Sequence, residues 1–225
     1  MKIKTLEELE DKLDQDLAWR KKEILSLKLL IDKNDQDRNI LLRAGIALLC
    51  AHFEGFIKKA SNLYVIYIGY QKVQCSNIIN SLLAIKFKKD FENCGKTDKH
   101  SIHAEMLNKL DQIKNETFFL KYKEDSPIIS TQSNPSSEVL DEILNTLGIS
   151  STIFETKKQY IDFSLLYKRH KVVHGDRFEI EYDDFDLVSD IVMKLIDEYK
   201  NIIIKSAEEK IFLKNKPEGE YANCS

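Results

Sequence analysis

The scarcity of residues that interrupt regular structure constrains this chain more than any other feature. Its 225 residues include only 7 Gly and 3 Pro, about 4% of the chain, whereas average usage is roughly 12%. Glycine supplies positive φ angles and proline fixes turn corners, so few tight turns can form. A β-sandwich or β-barrel needs a turn about every 8–12 residues and is therefore excluded. The sequence predicts long helices joined by a small number of loops.

Charge and cysteine usage limit the class of protein further. Basic and acidic residues are nearly balanced, 34 against 37, so no overall basic field indicates nucleic acid and any such contact needs a local patch. The four cysteines are widely spaced, which is typical of reduced thiols in an intracellular protein. The N-terminus does not resemble a signal peptide, and the most apolar stretches are shorter than the roughly 20 residues that span a bilayer. We expect a cytoplasmic protein without a membrane segment.

Apolar periodicity and capping signals divide the chain into helices. Thr5 and Glu8 have the spacing of a capping box, and leucines follow at helical intervals. Asn134 and Pro135 have the chemistry of an N-cap and a first helical residue, and Asp183 or Asp184 that of another N-cap. The predicted helices cover approximately 5–32, 37–70, 75–92, 98–114, 135–148, 154–173 and 184–214. We interpret 1–215 as a single all-α domain and 216–225 as a polar, flexible tail.

One segment, LLYKRHKVVHG at 165–175, concentrates polar residues that could perform chemistry. His170 and His174 are four residues apart and share a helix face. Arg169 and His174 are five apart, about 140° around an ideal helix, so they converge only if the helix ends at His174. Gly175 favours such an end.

These residue types suit cleavage of a phosphodiester without a metal or another cofactor. The Arg169 guanidinium can bind phosphate oxygens and the charge that develops in the transition state. A histidine with a pKa near 6.5 can take a proton from a ribose 2′-hydroxyl or give one to the leaving oxygen. Two alternatives remain: a histidine that only stabilises a helix end, and a zinc site that uses Asp176 or Glu54 as a third ligand.

The same segment resembles the Arg-x4–6-His signature of the HEPN superfamily. Two further segments, RAGIALLCAHFEGFIKK at 43–59 and STQSNPSSEVLDEILNTLGIS at 130–150, resemble the MAE-type branch of HEPN-like nucleases. Together the resemblance covers about 38–212. It implies an all-α HEPN-like helical bundle with long helices and a few short peripheral helices. It also implies a metal-independent endoribonuclease that forms a homodimer with two motif copies at one cleft. Many members act as toxins or antiphage-defence effectors, so an antitoxin or another partner protein is expected.

The resemblance assigns roles to individual residues. Arg169 and His174 take the two catalytic positions, and His170 takes the polar position beside the arginine, where the commoner residue is asparagine. His170 could position phosphate, titrate or orient Arg169.

Glu54 matches the acidic position of the MAE-type branch. Arg43 lies eleven residues before it on the same helix face, so that both could approach the cleft. Glu54 would orient Arg169 or a histidine; alternatively, an ion pair there only stabilises the bundle. Asn134 also matches the family pattern, either as a substrate contact or as a helix cap.

The function predicted from these residues is cleavage of RNA by 2′-hydroxyl attack. The competing interpretation is a non-catalytic HEPN-like helical module that binds RNA, a nucleotide or a protein partner.

Overall fold

A computed structural model describes residues 1–131 and 135–214, and within these ranges every regular element is helical. The all-α class is therefore confirmed. The α-helices are α1 (Leu6–Asp32), α2 (Arg38–Tyr70), α3 (Asn80–Lys86), α4 (Lys88–Cys94), α5 (His100–Gln112), α6 (Ser137–Leu147), α7 (Tyr167–Val173) and α8 (Tyr182–Glu208). Short 3₁₀ segments lie at 75–77, 113–115 and 151–157, and a π-helix covers 160–166.

Three long helices, α1, α2 and α8, form the centre of the fold. Helix α8 runs antiparallel to α1, because Lys21 bonds Asp197 at 2.6 Å and Lys200 bonds Asp14 at 2.5 Å. One cluster of buried residues extends through the described chain from Ile3 to Phe212. The prediction that the domain ends at 215 is not tested, because 215–225 lie outside the described residues.

Helix α2 is the central helix, and it runs parallel to α8. Ser61 and Tyr199 hydrogen-bond at 2.7 Å, and at Gly45 a Cβ atom would lie 2.6 Å from the ring of Phe185. By length and mean hydropathy (1.7 over its most apolar window), α2 could also cross a membrane. Half of that window is buried inside the protein, and a core helix passes the same test, so this is weak evidence for a membrane span.

Two predicted helices are divided in the structure. The segment predicted as 75–92 breaks at Phe87, which joins α3 to α4 with φ −99° and ψ 8°. The segment predicted as 154–173 consists of 3₁₀, π and α turns in succession. Its π-helix carries Asp162, whose carboxylate accepts hydrogen bonds from the Ser137 backbone N–H (2.9 Å) and hydroxyl (2.6 Å). This tertiary contact ties the segment before α7 to the first turn of α6.

Helix starts follow local side-chain chemistry, and two of the predicted caps are wrong. The capping box at Thr5 is present, with the Glu8 N–H donating to the Thr5 hydroxyl at 3.1 Å. Helix α6 is capped by Ser136, whose hydroxyl accepts from the Val139 N–H at 3.2 Å, rather than by Asn134. Helix α8 begins after Glu181, so Asp183 and Asp184 lie in its first turn. Their negative charges interact favourably there with the positive end of the helix dipole.

Candidate active site

The site is built around the C-terminal end of α7. Gly175 has φ +78°, a conformation that glycine adopts without strain. Its N–H donates to the Val172 carbonyl at 3.2 Å, and the Asp176 N–H donates to the Lys171 carbonyl at 3.0 Å. This pair of bonds is a Schellman motif. The helix therefore stops at His174, the position at which the sequence places the end.

His170 and His174 lie side by side, as their spacing predicts. Their ring centroids are 4.1 Å apart, and both residues are exposed. The His174 N–H also donates to the His170 carbonyl at 3.0 Å, so helical geometry extends to the last histidine. Two imidazoles are thereby presented together to solvent.

Arg169 lies on a different face of α7, turned toward α2. It is half-buried, and its charge acts on Cys50 of α2. Within residues 1–131 and 135–214 its guanidinium makes no hydrogen bond or ion pair, and none joins it to His174. The convergence of Arg169 and His174 stays a prediction. His174 keeps near-helical angles (φ −82°, ψ 2°), and five residues of an ideal helix correspond to a rotation of about 140° between the two positions.

Cys50 is not a nucleophile in this arrangement. Burial raises the pKa of its thiol to about 12, and Glu54 adds to the rise while Arg169 opposes it. A thiol with so high a pKa stays protonated at neutral pH and is unreactive. Because both charges act on Cys50, Arg169 and Glu54 lie around the same turn of α2.

Arg43 anchors the end of the motif helix. Its guanidinium donates to the Asp176 carbonyl at 2.9 Å. The Asp176 carboxylate accepts from the Lys171 ammonium at 2.9 Å, and the Lys171 contact lowers the pKa of Asp176, with smaller contributions from His174 and His170. Arg43 thus reaches the site, as its position on the face of α2 predicts. It does so through a hydrogen bond to the backbone of Asp176.

Glu54 has a partner that the sequence gives no means of finding. Its carboxylate accepts a hydrogen bond of 2.6 Å from the hydroxyl of Thr131, a buried residue 77 positions away. In the described part of the chain it makes no ion pair with Arg43, Arg169 or a histidine. The alternative of a stabilising ion pair is therefore not present among the described residues, and the role of Glu54 in orienting Arg169 or a histidine stays a prediction.

Asn134 lies outside the described residues, so its predicted role as a substrate contact is not tested. Thr131 and Pro135, on either side of the undescribed segment, are both buried, and Thr131 brings this region to Glu54.

The zinc alternative finds no support in the arrangement of side chains. Among the residues that the structure describes, no group of three His, Cys, Asp or Glu side chains could hold a metal ion. His170 and His174 thus lack the third ligand that Asp176 or Glu54 would have to supply.

Comparison with known families identifies the family to which the chain belongs. The model of the family described as RiboL-PSP-HEPN matches residues 15–205, a range that includes all the candidate site residues. The chain belongs to this HEPN family. An all-α fold is what a HEPN domain requires, and the helical bundle agrees with it. A search of curated proteins and a search of solved structures each found no match. Assignment of this HEPN domain to the MAE-type branch remains a prediction.

Proposed function

We propose that this HEPN protein is a metal-independent endoribonuclease whose site is the end of α7. The observation that carries the proposal is the exposed His170–His174 pair, 4.1 Å between ring centroids, beside an arginine without a partner among the described residues. An unpaired guanidinium is available to phosphate oxygens, and two exposed imidazoles are available to move protons.

The reaction needs no nucleophile from the protein. The 2′-oxygen of the substrate attacks the adjacent phosphorus while His174, as general base or acid, transfers a proton. The bond from phosphorus to the 5′-oxygen breaks, and that oxygen leaves with a proton. The products are a 2′,3′-cyclic phosphate and a 5′-hydroxyl. His170 supplies the complementary proton transfer, and Arg169 stabilises the negative charge on the phosphorane-like transition state.

A homodimer is part of the proposal. In one chain Arg169 and His174 lie on different faces of α7, so a second copy would bring a complementary motif to a shared cleft. The exposed aromatic residues Phe163 and Tyr167, 72% and 51% exposed, precede the motif on this segment and support an interface there. Light scattering at micromolar concentration is expected to show a dimer; a monomer throughout that range would contradict it.

Cleavage of mixed RNA in EDTA tests the enzyme directly. Wild-type protein is expected to cut, and Arg169→Ala and His174→Ala are each expected to cut at least about 100-fold more slowly. His100→Ala is the matched control, because His100 is an exposed histidine on the separate helix α5. Cleavage by either motif variant at the wild-type rate would remove the site assignment.

We further propose that the protein acts in the cytoplasm as a toxin or antiphage-defence effector restrained by an antitoxin or another partner protein. Expression is expected to arrest growth, and His174→Ala is expected to relieve the arrest. Membership of the HEPN family and the exposed motif support this role.

One observation favours a second candidate function, a non-catalytic module that binds RNA, a nucleotide or a protein. Because the helical backbone up to His174 places Arg169 and His174 on different faces of α7, one chain alone presents a binding surface and an incomplete catalytic pair. RNA that is bound but stays intact, together with a monomer in light scattering, would favour this module over the enzyme.

A further inference from the structure

One face of α2 connects the candidate active site with an open groove on the protein surface. Glu54, Lys58 and Asn62 are four residues apart and share this face. The Asn62 amide oxygen accepts from the backbone N–H groups of Ile128 (2.9 Å) and Ile129 (3.0 Å). With Thr131 bonded to Glu54, the segment 128–131 therefore lies antiparallel along α2, and Lys58 is level with residue 130.

Lys58 is half-buried and, like the adjacent Lys59, has no carboxylate partner among the described residues. Lys28, Lys168 and Lys200 are also half-buried, and each has a carboxylate oxygen within 3.0 Å. Within residues 1–131 and 135–214, the Lys58 ammonium makes neither an ion pair nor a hydrogen bond. Its nearest acid along the helix face, Glu54, accepts from Thr131 instead. A charged group so placed is well suited to an external anion.

The segment beside Lys58 also forms one wall of an open groove. The groove has a volume of about 610 Å³, within the range of ligand sites, and lies between the α3–α4 region and α6. Ser130 lines it, and Lys88 and the half-exposed ring of Phe91 lie on the opposite side. Glu92 and Glu142 also line it, and carboxylates of this kind accept hydrogen bonds from base amino groups.

We propose that Lys58, beside the segment 128–131, and the adjoining groove form the track of the single-stranded RNA substrate beyond the cleavage site. Lys58 binds a backbone phosphate, and Phe91 stacks on a base in the groove. From Cys50, beside which Arg169 lies, to Lys58 is eight residues, about 12 Å of helix. At roughly 3.4 Å per stacked nucleotide this spans about three to four nucleotides. This inference rests on the proposed function.

Salt-dependent binding separates a phosphate contact from a general positive field. The probe is a labelled oligoadenylate, and the protein is the full chain carrying His174→Ala so that the RNA stays intact. Adding Lys58→Gln is expected to reduce the slope of log K against log salt by about 0.7, the contribution of one single-strand phosphate contact. Lys59→Gln, the adjacent lysine about 100° around α2, is expected to leave the slope unchanged.

The stacking of Phe91 on a base is tested with a separate matched pair of variants. Phe91→Ala is expected to weaken binding about fivefold or more without changing the salt slope. Phe119→Ala is the control, because Phe119 is exposed to the same extent (48% against 49%) but contacts Tyr70 away from the groove. Circular dichroism confirms that each variant is folded.

The possible outcomes are distinguishable. Equal slopes for Lys58→Gln and Lys59→Gln, or RNA binding insensitive to both Lys58→Gln and Phe91→Ala, would overturn the track while leaving the nuclease intact. Failure of the His174→Ala protein to bind RNA, together with a wild-type protein that does not cut, would overturn the proposed function and the track together.

Discussion

Replacement of Gly175 by alanine tests whether the stop at the end of α7 depends on backbone conformation. Gly175 has φ +78°, and a Cβ atom there would meet nothing within 4 Å, so the substitution introduces strain without a clash. An alanine in the left-handed region costs about 1–2 kcal/mol. The stiffer unfolded chain returns about 0.4–1 kcal/mol. The expected net loss of unfolding free energy is about 1 kcal/mol, or roughly 2–4 °C in Tm for a chain of this size.

Gly95 provides the matched control. It has φ −70°, and the nearest atom to an added Cβ is 3.6 Å away, so Gly95→Ala has no strain and is expected to stabilise by up to about 1 kcal/mol. Gly175→Asn is expected to lie near wild type, because asparagine tolerates the left-handed region. Urea unfolding followed by circular dichroism measures all three. Equal unfolding free energies for Gly175→Ala and Gly95→Ala would refute the reasoning.

Two further predictions concern His52 and Asp162. Burial, reinforced by Arg20, lowers the pKa of His52 below its ordinary 6.5. The unfolded chain therefore binds a proton below pH 6.5 that the folded chain does not, so stability is complete above 6.5 and falls as the pH approaches the folded pKa. Urea midpoints at about pH 7.5 and 5.5 are expected to differ less in His52→Asn than in wild type; an equal difference would count against this cause. Asp162→Ala removes the acceptor of two Ser137 donors and is expected to cost about 1–2 kcal/mol of unfolding free energy. Asp98→Ala, at an exposed position, is the control, and equal unfolding free energies of the two variants would contradict the role of Asp162.

Local signals in the sequence were sufficient for the long helices. The Thr5 capping box and the following leucines predict α1 (Leu6–Asp32) because both are contained within a few residues of one another. The end of α7 is predictable for the same reason, since Gly175 sets the backbone directly after His174. The family assignment also follows from the sequence, and the matching range contains the motif.

The features that local signals do not predict depend on contacts between distant parts of the chain. The Glu54–Thr131 and Asp162–Ser137 hydrogen bonds join residues 77 and 25 positions apart, and no periodicity encodes either. The side of α7 on which Arg169 lies depends on how that helix is set against α2, which spacing within the motif does not determine. Convergence of Arg169 with His174 was therefore the least predictable element of the site.

The π-helix at 160–166 has a consequence for how chains of this family can vary. It lies between two fixed points: Asp162 is bound to the start of α6, and the far end of α7 is held by Gly175 and Arg43. A π turn accommodates the loss of one residue by becoming an ordinary α turn, whereas in a continuous α-helix the same loss rotates everything beyond it by about 100°. Such a segment absorbs a change in chain length and so preserves the orientation of α7. One-residue deletions among relatives should therefore gather at 160–166 and be rare between 167 and 175.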